Sequence, residues 1–537
     1  MIETMERIAA CIVCAALFVI MTLKTLGVMQ QTGYKNRAFI KWLLKKENML
    51  FNRLCVLALC LALASTITAL CFSFLGVQAA LLCSAIPFVA LLLGYAYSDS
   101  KLALKVPAVR TARWQRLLAV YGLLVACASY AVIAFLGFLA KVNGSPLYGL
   151  IAYIPFAVMP ALLPFLLLAA NAIIAPFESL HNEKFVKRAG QVLDEKEIIR
   201  VGVVGSYGKT SVKNILQTIL SEKYSVVATP ASYNTPIGVA KTVFSEDFEN
   251  KQVLIVEMGA RKRGDIAKLC ALVKPDFAIF TGVCEQHIQS FGSVENAFIE
   301  KSEILKSGAA VVCGESLNER IERAFEKEYI DECVIYAGES DVIEKHLQAT
   351  KTCFTLRLGN EELAVETALL GDAAAENITL AAKLAYECLG LTVEQIASGI
   401  KKLQPIAHRL QLITSGGAYI LDDGYNCNIV GAEQALKALA RFESRTCVVT
   451  PGIVEGGVLE EELNARLGEI IFSAGVDKVI LVGETLVTAV KKGYLSAGGD
   501  GARVLVVPTL EMAQHAVGAW IQQGDCVLFL NDLPDVY

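Results

Sequence analysis

The chain lacks an excess of either charge sign and contains few histidines. Its 49 Lys and Arg residues nearly balance 53 Asp and Glu residues, which leaves a formal net charge of −4, and it has 5 histidines. Proteins that bind nucleic acid usually carry a basic excess, because cationic side chains neutralise the phosphates. The composition therefore gives no reason to expect nucleic acid as a partner.

The cysteines lack the pattern of a secreted disulfide framework. Seven of the 16 lie in apolar runs and the others are scattered singly. Cys11 and Cys14 form a C-x-x-C pair inside one apolar run, where we interpret them as packing residues rather than as a metal or redox site. We expect the reduced cysteines of a protein that faces the cytosol.

Ionisable residues are absent from five long apolar runs in the first third of the chain. Each run is near the roughly 20 residues that cross a bilayer. Ion-coupled transporters generally hold ionisable groups within the membrane, so we do not expect a transporter. The first run also lacks a small-residue cleavage site and is expected to stay in place. The predicted spans are 8–23, 54–75, 77–96, 117–140 and 147–174, within a membrane domain at 1–175.

The connections between these runs differ in charge. Residues 76–78 and 141–144 are nearly uncharged, whereas 24–53, 101–116 and 184–188 are rich in Lys and Arg. The positive-inside rule places the N-terminus outside and everything after residue 175 in the cytoplasm. We therefore predict an α-helical, multi-pass protein of the plasma membrane with about five spans.

The rest of the chain has the pattern of an α/β protein. Residues 176–200 are predicted to be an amphipathic juxtamembrane connector. Short apolar runs then alternate with helical stretches, which is typical of parallel sheets that bind ligands at their strand C-termini. The pattern restarts near Gln404-Pro405, which predicts a P-loop-type central domain at 201–404 and a smaller Rossmann-like C-terminal domain at 405–537. The predicted strands are 201–204, 253–256, 277–281, 418–422, 447–450, 478–482, 504–507 and 526–530.

A glycine-rich segment follows the first of these strands. Backbone N–H groups in such a loop, together with a helix N-terminus, can bind phosphates. The full Walker A spacing would need glycine at 203, where Val203 stands, so a tight turn without special function remains an alternative. In the functional interpretation Lys209 reaches the β- and γ-phosphates, and Thr210 or Ser211 holds Mg²⁺. The candidate loop is Gly205, Ser206, Tyr207, Gly208, Lys209, Thr210 and Ser211.

Ionisable residues follow the next two predicted strands. Glu257 ends the strand 253–256, and His287 follows the strand 277–281. A carboxylate and an imidazole beside phosphate oxygens can hold Mg²⁺ or Mn²⁺. Taken alone, Glu257 could equally cap a helix and His287 could lie in a surface loop. Farther along, the polar segment 422–428 suits ribose, adenine or metal contacts, and equally an Asx turn.

Together these motifs resemble the Mur ligase family of ATP-dependent amide ligases, with the MurF type as the nearest branch. Gly205-x-x-Gly208-Lys209-Thr210 is similar to the family's short phosphate loop. The order of Glu257-Met-Gly, His287, Phe291-Gly-Ser and Lys301-Ser-Glu is also similar to the family's order. The resemblance covers about 200 to 537. Its departures are Ala373 for a usual histidine, His408 for a glycine, Ile429 for a proline, Ser232 for an asparagine, and five spans in place of a UDP-binding domain.

The resemblance implies roles for individual residues. Lys209, Glu257, His287 and Lys301 are the implied catalytic residues, and Asn234 is implied to contact the substrate. Thr210, Glu257, His287 and Lys301, the last carbamylated, are the implied ligands of Mg²⁺ or Mn²⁺. Besides the phosphate loop, the implied nucleotide contacts are Asn377, Arg409, Asp423, Tyr425 and Asn426.

The implied activity is the ligation of a carboxylate to an amine through an acyl phosphate, at the expense of ATP. The expected partners are a cell-wall muramoyl peptide or lipid-linked precursor and an amino acid or D-Ala-D-Ala-like dipeptide. Two other hypotheses remain open. One is a poly-γ-glutamate or capsule-type ligase, and the other is a non-catalytic, nucleotide-sensing membrane scaffold. The scattered cysteines of the soluble part argue against a zinc-ribbon amidating enzyme.

Overall fold

The chain consists of two compact units that divide near residue 183. We call them the helical unit and the α/β unit. The computed structural model describes residues 2–44, 56, 57, 60, 61, 63, 64, 67, 89, 90, 93, 97, 108–143, 153–230, 233–285, 288–425, 428–454, 456–484 and 486–530.

The helical unit contains two helices long and apolar enough to cross a membrane, Ala112–Phe135 and Met159–Asp194, among the residues described. A third span results if Cys11–Met21 and Leu23–Gln31, which meet at 48°, count as one. These helices overlap the predicted spans 8–23, 117–140 and 147–174. The predicted spans 54–75 and 77–96 lie mostly outside the described residues. The helices are α1 Ile2–Met21, α2 Leu23–Gln31, α3 Asn36–Leu43, α4 Ala112–Asn143 and α5 Tyr153–Asp194.

Polar side chains tie these helices together inside an otherwise apolar core. The hydroxyls of Thr22 and Tyr121 lie 2.7 Å apart and join the end of α1 to α4. Asn171 of α5 donates from Nδ2 to the Tyr34 carbonyl at 2.9 Å and to Asn36 Oδ1 at 2.7 Å. Helix α5 continues through its internal prolines to Asp194, so most of the predicted connector is helical.

The centre of the α/β unit is a six-stranded parallel sheet. Its strands are β1 Ile199–Val204, β2 Val226–Ala228, β3 Val253–Glu257, β4 Phe277–Phe280, β5 Ala310–Gly314 and β6 Val334–Ala337. They lie in the order β2-β3-β1-β4-β5-β6. Strand β1 pairs with β3 on one side and with β4 on the other, so the C-terminal end of β1 is the switch point where open α/β sheets bind ligands.

Helices cover both faces of this sheet, which is why its strands are apolar runs without alternation. Strand β3 is buried along its whole length. The helices on this part of the chain are α6 Lys209–Leu220, α7 Pro236–Ser245, α8 Asp265–Val273, α9 Ile288–Phe291, α10 Val294–Lys301, α11 Asn318–Ala324, α12 Lys327–Cys333, α13 Gly371–Glu387 and α14 Val393–Lys401.

An antiparallel sheet that the sequence did not predict lies before α13. Its alternating burial leaves one face solvated, in contrast to the central sheet. The inner face packs Phe354, Leu356 and Leu358 into the same apolar core as α6 and α13. The strands are β7 Val342–Leu347, β8 Thr352–Leu358 and β9 Glu361–Thr367.

A second six-stranded sheet follows residue 405, where the sequence predicts a domain boundary. Its order is β10-β11-β15-β12-β13-β14, and only β10 runs antiparallel. The predicted strands of this region are all present. The elements are β10 Gln411–Ser415, β11 Ala418–Asp423, α15 Ile429–Leu439, β12 Thr446–Thr450, α16 Glu460–Ser473, β13 Lys478–Val482, α17 Val487–Ser496, β14 Val504–Val507, α18 Leu510–Trp520 and β15 Cys526–Leu530.

Candidate active site

The glycine-rich loop lies at the switch point of the central sheet, between β1 and α6. Gly205 has φ +156° and Gly208 has φ +74°. A Cβ at Gly205 would collide with Thr281 Oγ1, and one at Gly208 would lie 2.7 Å from Asn377 Oδ1. Both positions therefore need glycine because the end of β4 and helix α13 approach the backbone closely.

Hydrogen bonds from the end of β4 hold this loop. The Ser206 N–H donates to the Gly282 carbonyl at 2.7 Å. Thr281 donates from Oγ1 to the Tyr207 carbonyl at 2.5 Å. The Tyr207 ring lies directly against Gly282, where any side chain would collide with it. Burial raises the pKa of Tyr207 to about 12.

Lys209 opens helix α6 and bends back over the loop. Its Nζ donates to the Gly205 carbonyl at 2.7 Å and to the Ser206 carbonyl at 3.2 Å. Burial lowers the pKa of Lys209, and the charge of Glu257 partly opposes that effect. The cation thus lies beside the loop N–H groups and the helix N-terminus, the combination that binds phosphates.

Glu257 is the centre of the polar side chains beside this loop. It ends β3 and is 2% exposed. Thr210 donates from Oγ1 to Glu257 Oε2 at 3.0 Å, and Asn234 donates from Nδ2 to Oε1 at 3.2 Å. Lys213 Nζ lies 3.4 Å from Oε2 and also donates to the Thr229 carbonyl at 2.8 Å. Ser211 follows Thr210 in the first turn of α6 and is partly buried.

Lys301 is a buried lysine at the end of α10. It is 3% exposed, and within the described part of the chain its Nζ has no hydrogen-bond partner. The ammonium lies 5.0 Å from the centroid of the Phe291 ring. Burial lowers the pKa of Lys301 to about 8, and the nearby charge of Lys209 contributes. His287 and Asn426, which the sequence also placed at the site, lie outside the described residues.

Residues of the C-terminal sheet region reach the same place. Arg409 Nη2 lies 3.4 Å from Thr210 Oγ1, and its guanidinium lies 4.5 Å from the centroid of the Tyr425 ring. Asp423 Oδ1 accepts a hydrogen bond from the Leu410 N–H at 3.1 Å. Burial raises the pKa of Asp423 to about 6, and Arg409 opposes that effect.

The backbone on both sides of Arg409 is left-handed although neither residue is glycine. His408 has φ +59° and Leu410 has φ +47°. His408 is the position where the resembled family has glycine, and this conformation is the one that glycine adopts without strain. The ring of His408 is held by Asp422, whose Oδ2 lies 2.8 Å from Nδ1. The unusual backbone thereby presents Arg409 to Thr210.

The charges and oxygen atoms of the site suit a triphosphate with a divalent cation. Four cationic side chains and three carboxylates belong to the site, which leaves a positive excess that suits polyphosphate. Among the described residues, no three His, Cys, Asp or Glu side chains form a metal cluster. Thr210 and Glu257 nevertheless supply an adjacent hydroxyl and carboxylate, and Mg²⁺ commonly uses one or two carboxylates with phosphates and water. The cations are Lys209, Lys213, Lys301 and Arg409, and the carboxylates are Glu257, Glu376 and Asp423.

Sequence reasoning missed three residues of this site. Lys213 lies one helical turn after Lys209, and that spacing on one helix face is a signal that could have found it. Thr281 was included only as the end of a strand. Glu376 carries no motif, and burial raises its pKa to about 7.

Comparisons with known proteins match the two domains in which these residues lie. Residues 203–385 match the Mur ligase middle domain, and residues 408–531 match the Mur ligase glutamate ligase domain. The chain is 29% identical over 324 residues to the UDP-N-acetylmuramoyl-tripeptide–D-alanyl-D-alanine ligase of Mycobacterium tuberculosis (strain ATCC 25618 / H37Rv). That match covers 56% of this chain and 62% of the relative, so it spans less than two thirds of the relative's length.

Solved structures show the same architecture. MurF from Thermotoga maritima in complex with ADP has a TM-score of 0.58 and 25% identity, covering 65% of this chain and 80% of that one. MurF from Acinetobacter baumannii has a TM-score of 0.59 and 20% identity, covering 66% and 78%. The two domain matches lie on the two parallel sheets that carry the candidate site. The chain belongs to the Mur ligase family.

Proposed function

We propose that the chain is a membrane-anchored ATP-dependent ligase that joins a carboxylate to an amine. The observation that carries the proposal is the meeting of three parts of the fold at Thr210. Its hydroxyl lies between Glu257 of the central sheet and Arg409 of the C-terminal region, directly after the phosphate loop. Such an arrangement allows both domains to act on one triphosphate.

The reaction we propose has two steps. A carboxylate oxygen of the acceptor attacks the γ-phosphorus of ATP, the bond to the bridging oxygen breaks, and ADP leaves. The amine then attacks the carbonyl carbon of the acyl phosphate, inorganic phosphate leaves, and the amine loses a proton. Lys209 and Arg409 stabilise the charge that develops on the transferred phosphoryl group. Closure of the C-terminal region over the loop excludes water from the acyl phosphate.

The metal role in this proposal belongs to Thr210, Glu257, His287 and Lys301. A Mg²⁺ or Mn²⁺ ion held there would offset the charge of the phosphates when bound. The described members fit such an ion by their chemistry, since they supply a hydroxyl, a buried carboxylate and a lysine that would bind the ion once carbamylated.

Lys301 is proposed to act as a carbamate. Because burial lowers the pKa of Lys301 to about 8, the neutral amine is accessible near neutral pH. A bond then forms between Nζ and the carbon of CO₂, and the amine loses a proton. The buried position without a hydrogen-bond partner among the described residues supports an added anionic group.

The proposed substrates follow the activity for which the relatives are named. The acceptor is a muramoyl peptide, on a nucleotide or a lipid carrier, and the amine is an amino acid or a D-Ala-D-Ala-like dipeptide. The proposed location is the plasma membrane, with about five spans, an external N-terminus and a cytoplasmic α/β unit. A non-catalytic scaffold is disfavoured, because nucleotide sensing needs neither Glu257 nor Lys301.

The test uses the purified full chain in detergent. ATP is offered with UDP-linked or lipid-linked muramoyl tripeptides and D-Ala-D-Ala, and products are identified by mass spectrometry. Phosphate release is expected only when both acceptor and amine are present. Lys209→Met should abolish it, whereas Lys268→Met, on the exposed face of α8, should not. Phosphate release that depends on neither the acceptor nor the amine would refute the proposal. Polymerisation of glutamate would favour the poly-γ-glutamate hypothesis.

A further inference from the structure

Lys213 forms a buried ion pair with Glu257 and has no role in the reaction steps proposed above. The side chain is 2% exposed, and its partner Glu257 is equally buried. Lys213 Nζ lies 3.4 Å from Glu257 Oε2, the oxygen that also accepts the Thr210 hydroxyl. The ammonium is therefore next to the carboxylate oxygen that faces the phosphate loop.

A second hydrogen bond fixes the ammonium in place. Lys213 donates to the Thr229 carbonyl at 2.8 Å, and Thr229 Oγ1 accepts the Glu257 N–H at 3.0 Å. Lys213, Thr229 and Glu257 thus form a closed set of contacts that joins helix α6 to the C-terminal ends of β2 and β3. Neither charged group can turn away without leaving the other buried without its counter-charge.

Lys209 and Lys213 lie four residues apart on α6 but have different partners. Lys209 contacts the loop carbonyls that surround the phosphate site, whereas Lys213 contacts the carboxylate. A divalent cation that binds Glu257 would meet a fixed positive charge a few ångströms away. Repulsion between like charges in a buried site is strong, because little water screens it.

We propose that Lys213 is a positioning residue that holds Glu257 for the metal and makes metal binding depend on the nucleotide. Without nucleotide, the ammonium occupies the role of counter-ion to Glu257 and keeps the affinity for a free divalent cation low. When the triphosphate binds, its negative charge offsets that of Lys213, and the cation can share Glu257. The inference rests on the metal role of Glu257 within the proposed function.

The test measures Mn²⁺ binding to the full chain in detergent by electron paramagnetic resonance, without acceptor or amine. Lys213→Met should raise the affinity for Mn²⁺ in the absence of nucleotide by about tenfold or more, since one unit charge is removed beside the carboxylate. The factor by which a non-hydrolysable ATP analogue increases Mn²⁺ affinity should fall by a similar amount. Lys268→Met, an exposed lysine on α8, should change neither value.

The double variant Lys213→Met with Glu257→Gln separates positioning from folding. Removal of both charges leaves neither member of this pair without its counter-charge, so this variant should fold and should lose the Mn²⁺ gain. If Lys213→Met alone is unstable, Mn²⁺ should restore its melting temperature. Failure of both Lys213→Met and the double variant to fold would overturn the inference. It would also be overturned if Lys213→Met is unstable, Mn²⁺ does not restore its stability, and only the added Glu257→Gln change allows the protein to fold.

The remaining outcomes distinguish the two proposals. If Lys213→Met binds Mn²⁺ like the unchanged protein while Glu257→Gln abolishes binding, the role of Lys213 is wrong and the metal role of Glu257 stands. If Glu257→Gln binds Mn²⁺ with nucleotide as well as the unchanged protein does, the metal role itself fails.

Discussion

Replacement of Lys301 by methionine should make the protein more stable and inactive. The amine is 3% exposed and has no hydrogen-bond partner in the part of the chain that the structure describes. Its pKa is lowered from 10.5 to about 8, by burial first and then by the charge of Lys209. A difference of that size corresponds to a cost of about 3 kcal/mol for the charged form at neutral pH. Methionine has a similar length and no charge, so Lys301→Met should recover much of that cost.

The stability difference between Lys301→Met and the unchanged protein should depend on pH. The pKa of the folded state lies below that of the unfolded state, so the cost is fully present below about pH 8. As pH rises from 8 to 10.5 the folded protein releases its proton first, and stability rises in that window. The advantage of Lys301→Met over the unchanged protein should therefore be largest at pH 7 and should shrink towards pH 10.

The assay is thermal unfolding of the full chain in detergent, in CO₂-depleted, metal-free buffer at pH 7 and pH 10. Lys262→Met, an exposed lysine before α8, serves as the matched control. In the presence of Mn²⁺ and nucleotide, addition of bicarbonate should further stabilise the unchanged protein and not Lys301→Met, because only the former can form the carbamate. A variant that is less stable at pH 7, or an advantage that does not change with pH, would refute the reasoning.

Three further changes test other contacts. Gly208→Ala should weaken nucleotide binding by at least about tenfold, measured by calorimetry, because φ is +74° and a Cβ would lie 2.7 Å from Asn377 Oδ1; unchanged affinity would contradict the close approach. Glu376→Gln should stabilise the protein above pH 7 by up to about 3 kcal/mol and have little effect near pH 4.5, since burial raises the pKa of this carboxyl from 4.5 to about 7; the difference in melting temperature across that pH range checks it. Arg116→Met should destabilise the helical unit by about 1–2 kcal/mol, because its bidentate partner Glu178 has only 6% of its side chain exposed, whereas Arg116 itself is half exposed and partly screened by solvent. Adding Glu178→Gln should recover most of that loss in a thermal unfolding assay, and no recovery would contradict a cost that arises from the unpaired carboxylate.

The central strands β1, β3 and β4, five of the six C-terminal strands and the phosphate loop were predictable because their signals are local. Val253–Val256 is a continuous apolar run, which a buried parallel strand requires, and the two glycines of the loop mark positive φ angles. Strands β2, β5 and β6 of the central sheet and β10 of the C-terminal sheet were not predicted. The antiparallel strands β7 to β9 were also missed, because their mixture of polar and apolar residues resembles that of surface loops. The left-handed conformation of His408 was also hidden, since histidine stands where the pattern favours glycine.

The site residues divide in the same way. Lys209, Thr210 and Glu257 were found because each follows a strand or a glycine turn along the chain. Lys213 was missed, because its importance comes from Glu257, which is 44 positions away and reaches it through the pairing of β1 with β3.

The sequence by itself determined the apolar runs that form the described long helices, the central strands β1, β3 and β4, and five of the six C-terminal strands. It also determined the motif order that resembles the family, because all of these depend on residue type and spacing. Only the tertiary structure decided which groups share one site. Arg409 meets Thr210 across 199 positions, and Lys301 loses its hydration under Phe291. Long-range packing sets both the distance between charges and their access to water. The phosphate loop can therefore be predicted from the sequence, whereas the electrostatic environment around it depends on the tertiary structure.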